Sequence, residues 1–172
     1  MTAVRIRPYE PSDAQALFEA ARESTNDVFP WLEWCHAGYS MAEADTWIAS
    51  RAALFASGQE YTFAIVADDG RYLGGCGLNQ VNRLHRFANL GYWVRSSAAG
   101  RGIAPEAARQ VAAFAFRETD LERLEIVCAV GNTRSQRVAE RAGAMREGIL
   151  RRRLVLHGRS VDAVMFSLVR SA

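Results

Sequence analysis

Apolar and polar positions alternate over residues 3–8, Ala-Val-Arg-Ile-Arg-Pro, and predict an opening strand stopped by Pro8. From Glu10 to Ser24 the period lengthens. Leu17, Phe18 and Ala21 share one face of a helix that Ser12 or Asp13 can cap. Residues 25–40 are aromatic-rich and carry no period. Ser40 then opens a second helix to about Ser57, with Glu43 placed for a capping box and Gly58 at its end. Ala44, Trp47, Ile48, Leu54 and Phe55 supply its apolar face. Three strand patterns follow at 61–67, 71–81 and 87–95, separated by Asp68-Asp69-Gly70 and a polar run. A helix at 103–118, a strand at 123–130 and a helix opened by Asn132 come next. Two late strands, about 145–156 and 159–169, meet at His157-Gly158, a tight hairpin turn. The predicted order is β-α-α-β-β-β-α-β-α-β-β. Strand–helix–strand passages amid hairpins predict an α+β fold, a mixed sheet with helices on both faces, as one domain over 1–172.

Composition narrows the classes. At 49% hydrophobic and 23% charged, 172 residues suit a single domain with a proper core. No apolar run approaches the roughly 20 residues needed to span a bilayer. Glu10 and Asp13 fall where a signal peptide would be apolar, so a cytoplasmic protein with no membrane partner is expected. A net charge of +2 makes no case for nucleic acid, and no direct nucleic-acid binding is expected. The chain has no lysine, which excludes a lysine Schiff base or a phosphate-loop lysine. Cys35, Cys76 and Cys128 are scattered, as are His36, His85 and His157; no metal site is expected.

The candidate chemistry lies between Trp93 and Gln110, where a strand runs into Gly100-Arg101-Gly102 and then a helix. A glycine turn at a helix N-terminus offers free N–H groups and the helix dipole to an anion. Walker A is excluded by the missing lysine, and a GxGxxG fingerprint by Pro105 in place of a third glycine. An ordinary strand-to-helix turn fits the bare glycine pair equally well. The surroundings decide. Ser97-Ala-Ala-Gly-Arg-Gly-Ile-Ala-Pro-Glu-Ala resembles the pyrophosphate loop of the GCN5-related N-acetyltransferases, with Ser97 where Gln or Arg is usual. Residues 132–151, Asn-Thr-Arg-Ser through Glu-Gly-Ile-Leu-Arg, are similar to the RimJ/RimL-type ribosomal-protein branch. So are Asn89-Leu-Gly-Tyr-Trp-Val and the C-terminal Gly158-Arg-Ser-Val-Asp, in order and with normal spacing.

The resemblance implies an acetyl-CoA-dependent N-acetyltransferase whose central sheet is splayed. It implies the pyrophosphate on the Gly100–Ile103 turn, with Arg101 either at a phosphate or solvated. Pantetheine would pair with backbone groups of Trp93, Val94 and Arg95, and the Val94 N–H would face the thioester carbonyl. Asn132 and Ser135, three residues apart on one helical face, would turn towards the cofactor arm. Many members carry a tyrosine acid further along that helix; the matching position here is Ala139, which leaves Ser135 to assist the leaving thiolate. Branch members are often dimers, so a homodimer is an open expectation.

No base declares itself. Glu33, Glu60 and Asp162 are candidates, each equally well a surface carboxylate. An α-amine of pKa about 8 is partly neutral near pH 7, whereas a lysine amine near 10.4 is almost wholly charged. A protein N-terminus is therefore the favoured acceptor, with a small amine such as a polyamine, amino-acid derivative or aminoglycoside as the rival. A CoA-binding sensor without turnover is the more distant alternative. Phe29, Trp31, Leu32 and Trp34 either complete the core or wall an acceptor groove, with Asp27 and Glu33 steering a cation. Arg151, Arg152 and Arg153 alternate along a late strand, two on one side, and form a solvated edge or meet an acidic partner or RNA.

Overall fold

The computed structural model describes residues 4–171, so Ala3 of the expected first strand lies outside it. The elements are β1 (Val4–Pro8), α1 (Ala14–Val28), α2 (Met41–Ala56), β2 (Tyr61–Ala67), β3 (Tyr72–Asn82) and β4 (Phe87–Val94). They continue with α3 (Ile103–Glu118), β5 (Arg123–Ala129), α4 (Thr133–Arg141), β6 (Met145–Leu156) and β7 (Arg159–Val169). The seven strands form one mixed sheet in the order β1-β2-β3-β4-β5-β7-β6.

β2 shows why helices lie on both faces. Its last five residues are all buried. Phe63 and Ile65 pack with Val111 and Ala115 of α3, while Ala64 and Val66 pack with Leu17 of α1 and Ile48 of α2. A strand buried on both faces reads as a continuous apolar run, as Tyr-Thr-Phe-Ala-Ile-Val-Ala does.

Helix caps follow the sequence at α2. The Ser40 hydroxyl accepts from the Glu43 N–H, and the Glu43 carboxylate accepts from the Ser40 N–H at 2.9 Å. At α1 the expectation is corrected. Asp13 gives its carboxylate to Arg7, at 2.6 and 2.7 Å, and to the Glu10 N–H, stapling the end of β1 to a 3-10 turn before the helix. α1 also runs four residues past Ser24, and Ser24 and Asp27 of its last turns have partners outside the helix. Ser24, fully buried, accepts from the Ser96 N–H. At the last hairpin His157 (φ 49°) and Gly158 (φ 73°) both take left-handed backbone, a type I′ turn.

The feature that positions the site is the single parallel pairing among the described residues. β4 and β5 are registered only from Phe87–Asn89 against Arg123–Glu125. β4 stays paired to β3 up to Val94, and β5 to β7 up to Ala129, so the two strands part beyond Asn89.

Candidate active site

The splay opens into a cleft of about 940 Å³. In antiparallel pairing, alternate residues spend their N–H and C=O on the same neighbour. The Arg95 N–H donates to the Leu73 carbonyl at 2.8 Å, so the odd-numbered residues of β4 bond to β3. The Arg86 carbonyl accepts from the Glu122 N–H at 2.7 Å, so the even-numbered ones face β5. Past the splay, Leu90, Tyr92 and Val94 therefore turn their peptide groups to an edge with no strand. The Val94 peptide thus faces the open edge, whereas the backbone groups of Trp93 and Arg95, expected to pair with pantetheine, belong to β3. Trp93 instead contributes its ring to the cleft wall, and Arg95 its guanidinium to Glu23 of α1 and the Tyr72 carbonyl.

Gly100 and Gly102 stand at the mouth, both at φ 77°, with no atom within 4 Å of where a Cβ would lie. Left-handed backbone and an open approach are what glycine supplies here. Gly102 is the N-cap of α3, and Ile103 is buried at its first position. Glu106 is turned aside by Arg109 and Gln110, which leaves the turn without a facing carboxylate. Arg101 does not line the cleft; its side chain borders a separate hollow of about 250 Å³ with Arg71 and Arg95.

Opposite β4, Asn132 caps α4 by accepting the Ser135 N–H at 3.0 Å. Ser135 Oγ lies 3.1 Å from the Tyr92 hydroxyl and 3.2 Å from Cys128 Sγ. The Tyr92 hydroxyl also donates to the Ser135 carbonyl at 2.9 Å. Burial pushes the Tyr92 phenol and the Cys128 thiol above their ordinary values, so both stay protonated near neutrality. Tyr92 was not anticipated; the signal available was the period-2 alternation that puts it and Val94 on one face. Ala139 is fully buried in the core and does not line the cleft.

The segment after α1 divides its aromatics. Trp31, Leu32 and Trp34 line the cleft. The Trp31 ring packs against Gly131, next to the α4 cap, and Trp34 packs edge-on to Trp93 with centroids 5.2 Å apart. Phe29 packs edge-on to His157 instead. Glu33 is corrected: its carboxylate accepts the His157 N–H, fastening the β6–β7 turn over the cleft rather than facing an acceptor. Glu60 pairs with Arg51 at 2.6 Å, and Asp162 accepts the Arg152 N–H at 2.8 Å. Neither lines the cleft, so none of the three expected bases is placed for that work. Arg152 (φ 50°) sits in a bulge of β6 that breaks the expected alternation and turns Arg153 into the cleft.

The carboxylates that do line the cleft are Asp27 and Glu43. Asp27 is held below the usual range by the Ser96 hydroxyl and by Arg134. Glu43 is lowered chiefly by its hydrogen bonds to Ser40. No cluster of metal-ligating side chains occurs among the described residues.

An unpaired strand edge leading from a glycine turn, with a hydroxyl pair across from it, suits a thioester on a long amide-bearing arm. The profile of the Acetyltransferase (GNAT) domain matches residues 3–145. The chain belongs to the GNAT acetyltransferase family. It is 33% identical to "Putative ribosomal N-acetyltransferase YdaF" of Bacillus subtilis, over 97% of this chain and 91% of that protein. It is 26% identical to the ribosomal-protein-serine acetyltransferase of Escherichia coli, over 80% and 76%. Among solved structures, Mycobacterium smegmatis RimJ in complex with CoA-disulfide superposes with a TM-score of 0.87, at 27% identity over 96% of this chain and 81% of that one. The RimL ribosomal L7/L12 alpha-N-protein acetyltransferase with coenzyme A shares the fold, with a TM-score of 0.90 at 23% identity over 99% and 96%. The chain is an acetyl-CoA-dependent N-acetyltransferase.

Proposed function

We propose that the enzyme acetylates the N-terminal α-amine of a protein, a ribosomal protein in the first instance. The observation that carries the placement is the β4 edge: Tyr92 and Val94 present N–H groups to the splay, with Ser135 across from them. The pyrophosphate would sit on the Gly100–Ile103 turn. Arg137 and Arg141 add positive charge on the cleft side of α4. The Val94 and Tyr92 N–H groups would hold the pantetheine amide and the thioester carbonyl oxygen.

The amine nitrogen attacks the carbonyl carbon, and the oxygen takes the electron pair under those N–H donors. Collapse breaks the C–S bond. Ser135 delivers its hydroxyl proton to the sulfur and recovers one shed by the amine through cleft water, so no net proton is released. The protonated Tyr92 phenol donates to the Ser135 carbonyl and accepts from the Ser135 hydroxyl, which fixes where that hydroxyl points before the exchange. Asp27 and Glu43, both with lowered pKa, are weak bases, which suits an acceptor already partly neutral. The names of the Bacillus subtilis and Escherichia coli relatives support a ribosomal acceptor. A cytoplasmic location follows from that acceptor. Exposed Met145, Ile149, Val155 and Val169 on the outer hairpin suit a homodimer contact.

Free-CoA release tests the reading with two peptides, one with a free N-terminus and no lysine, the other N-terminally blocked with an internal lysine. The first is expected to react at least tenfold faster, since its amine is far more often neutral. Faster reaction of the blocked peptide, or of polyamines alone, would overturn it.

A further inference from the structure

The cleft has a floor built by β3 and β4. β3 contributes Gly75, Gly77 and Asn79, registered against Trp93, Gly91 and Asn89 of β4, and all six line the cleft. Glycine weakens a strand, so each one calls for a cause. A Cβ on Gly75 would lie 2.4 Å from the Tyr9 hydroxyl, and one on Gly77 would lie 2.4 Å from the Tyr61 carbonyl oxygen. Packing explains both. Gly91 is different. Its backbone is not left-handed, and the nearest atom to a Cβ there would be Asn89 Nδ2, at an ordinary 3.9 Å. Nothing in the packing of the described residues requires glycine at 91.

What the missing side chain leaves is smooth floor beside an amide pair. Asn89 Nδ2 donates to Asn79 Oδ1 at 2.9 Å. That bond uses one of the two Asn89 N–H groups and leaves Asn89 Oδ1 and the Asn79 amide N–H groups for a visitor. A carbonyl and an N–H side by side are the complement of one peptide unit. The position also fits: Asn89 is three to five residues along β4 from Tyr92 and Val94, about 10–17 Å at strand rise, which an extended acceptor covers in a similar number of residues.

We propose that Gly91, Asn89 and Asn79 form a subsite for the main chain of the acceptor, gripping it some three to five residues from its N-terminus whatever its side chains. The proposal rests on the reading of the acceptor as a protein N-terminus. A small amine would reach the thioester without touching this floor.

The test uses lysine-free, serine-initiated peptides of two to six residues with the wild-type enzyme, Gly91→Ala, Gly91→Val and Asn89→Ala. For wild type, kcat/KM should rise about tenfold between the dipeptide and the pentapeptide, chiefly through KM, the size expected of one or two hydrogen bonds. Gly91→Val and Asn89→Ala should bring the pentapeptide down to the dipeptide level, with Gly91→Ala between, while KM for acetyl-CoA stays within about twofold. Should Gly91→Val misfold, the other two variants carry the comparison. A flat length profile in the wild type overturns the subsite, as does a profile that both Asn89→Ala and Gly91→Ala leave intact; in either case the protein-acceptor reading stands. Turnover of small amines with no peptide of any length would overturn that reading and the subsite together.

Discussion

Ser135 is held from three sides, by the Asn132 cap, the Tyr92 hydroxyl and Cys128, so its hydroxyl is oriented before any substrate arrives. Such pre-organisation acts on the step in which charge appears on sulfur. Ser135→Ala should lower kcat by roughly ten- to a thousandfold, with a smaller rise in KM for acetyl-CoA. Tyr92→Phe keeps the ring and removes the hydroxyl; kcat should fall about tenfold with CoA binding retained. Single-turnover rates check both, and an unchanged chemical step in Ser135→Ala removes the residue from the mechanism. At this scale sequence was informative where partners are close along the chain. Asn132 and Ser135 are three apart. Tyr92 is 43 residues from Ser135, and the His157 that claims Glu33 is 124 away. No local pattern encodes either contact, which is why Tyr92 was missed and Glu33 misassigned.

Elements were largely legible because their signals are local. The strand at 61–67, the helix at 103–118 and the last hairpin end where alternation, apolar faces and turn residues place them. The end of α1 was not: Ser24, read as its last residue, is buried inside the helix with its hydroxyl bonded to Ser96, 72 residues on. The splay was available only through the family resemblance, and the order of strands in the sheet was not read at all; nothing in the apolar pattern of β4 and β5 says that their pairing stops at Asn89 and Glu125. The start of α3 permits a prediction about an element. Gly102 has open space for a side chain but a backbone at φ 77°, which a β-branched residue resists. Gly102→Val should therefore reshape the turn while the buried face of α3, with Ala107, Ala108 and Val111, keeps the helix packed. The rise in Tm that CoA confers on wild type by mass action should disappear in a folded Gly102→Val protein. A full shift in that variant would place the pyrophosphate elsewhere.

Across the whole molecule, α1 governs the segment that leads from β4 to the glycine turn. Glu23 bonds Arg95 and the Ser97 N–H, Ser24 bonds the Ser96 N–H, and Asp27 bonds the Ser96 hydroxyl. Three side chains of one helix thus fix three consecutive residues, 95–97, that lie just before Gly100. The Arg95 guanidinium, helped by the Ser97 N–H, lowers the Glu23 pKa from 4.5 to about 2. A depressed folded pKa means that the unfolded chain binds the proton more readily. The stabilisation is therefore complete above the unfolded value and is lost as pH falls from about 4.5 towards 2. Glu23 is 30% exposed, so solvent screening reduces the contribution to about 1 kcal/mol or less, some 2–4 °C in Tm for a chain of this size. Glu23→Gln should lower Tm by that amount at pH 7 and show a shallower fall than wild type between pH 5 and pH 3. Because the same contact sets the approach to the glycine turn, CoA affinity at pH 7 should weaken several-fold in Glu23→Gln, although Glu23 does not line the cleft. Calorimetric titration with CoA at pH 7 checks this, and equal affinity in the two proteins would reduce the α1 contacts to a stabilising clamp with no hold on the cofactor turn.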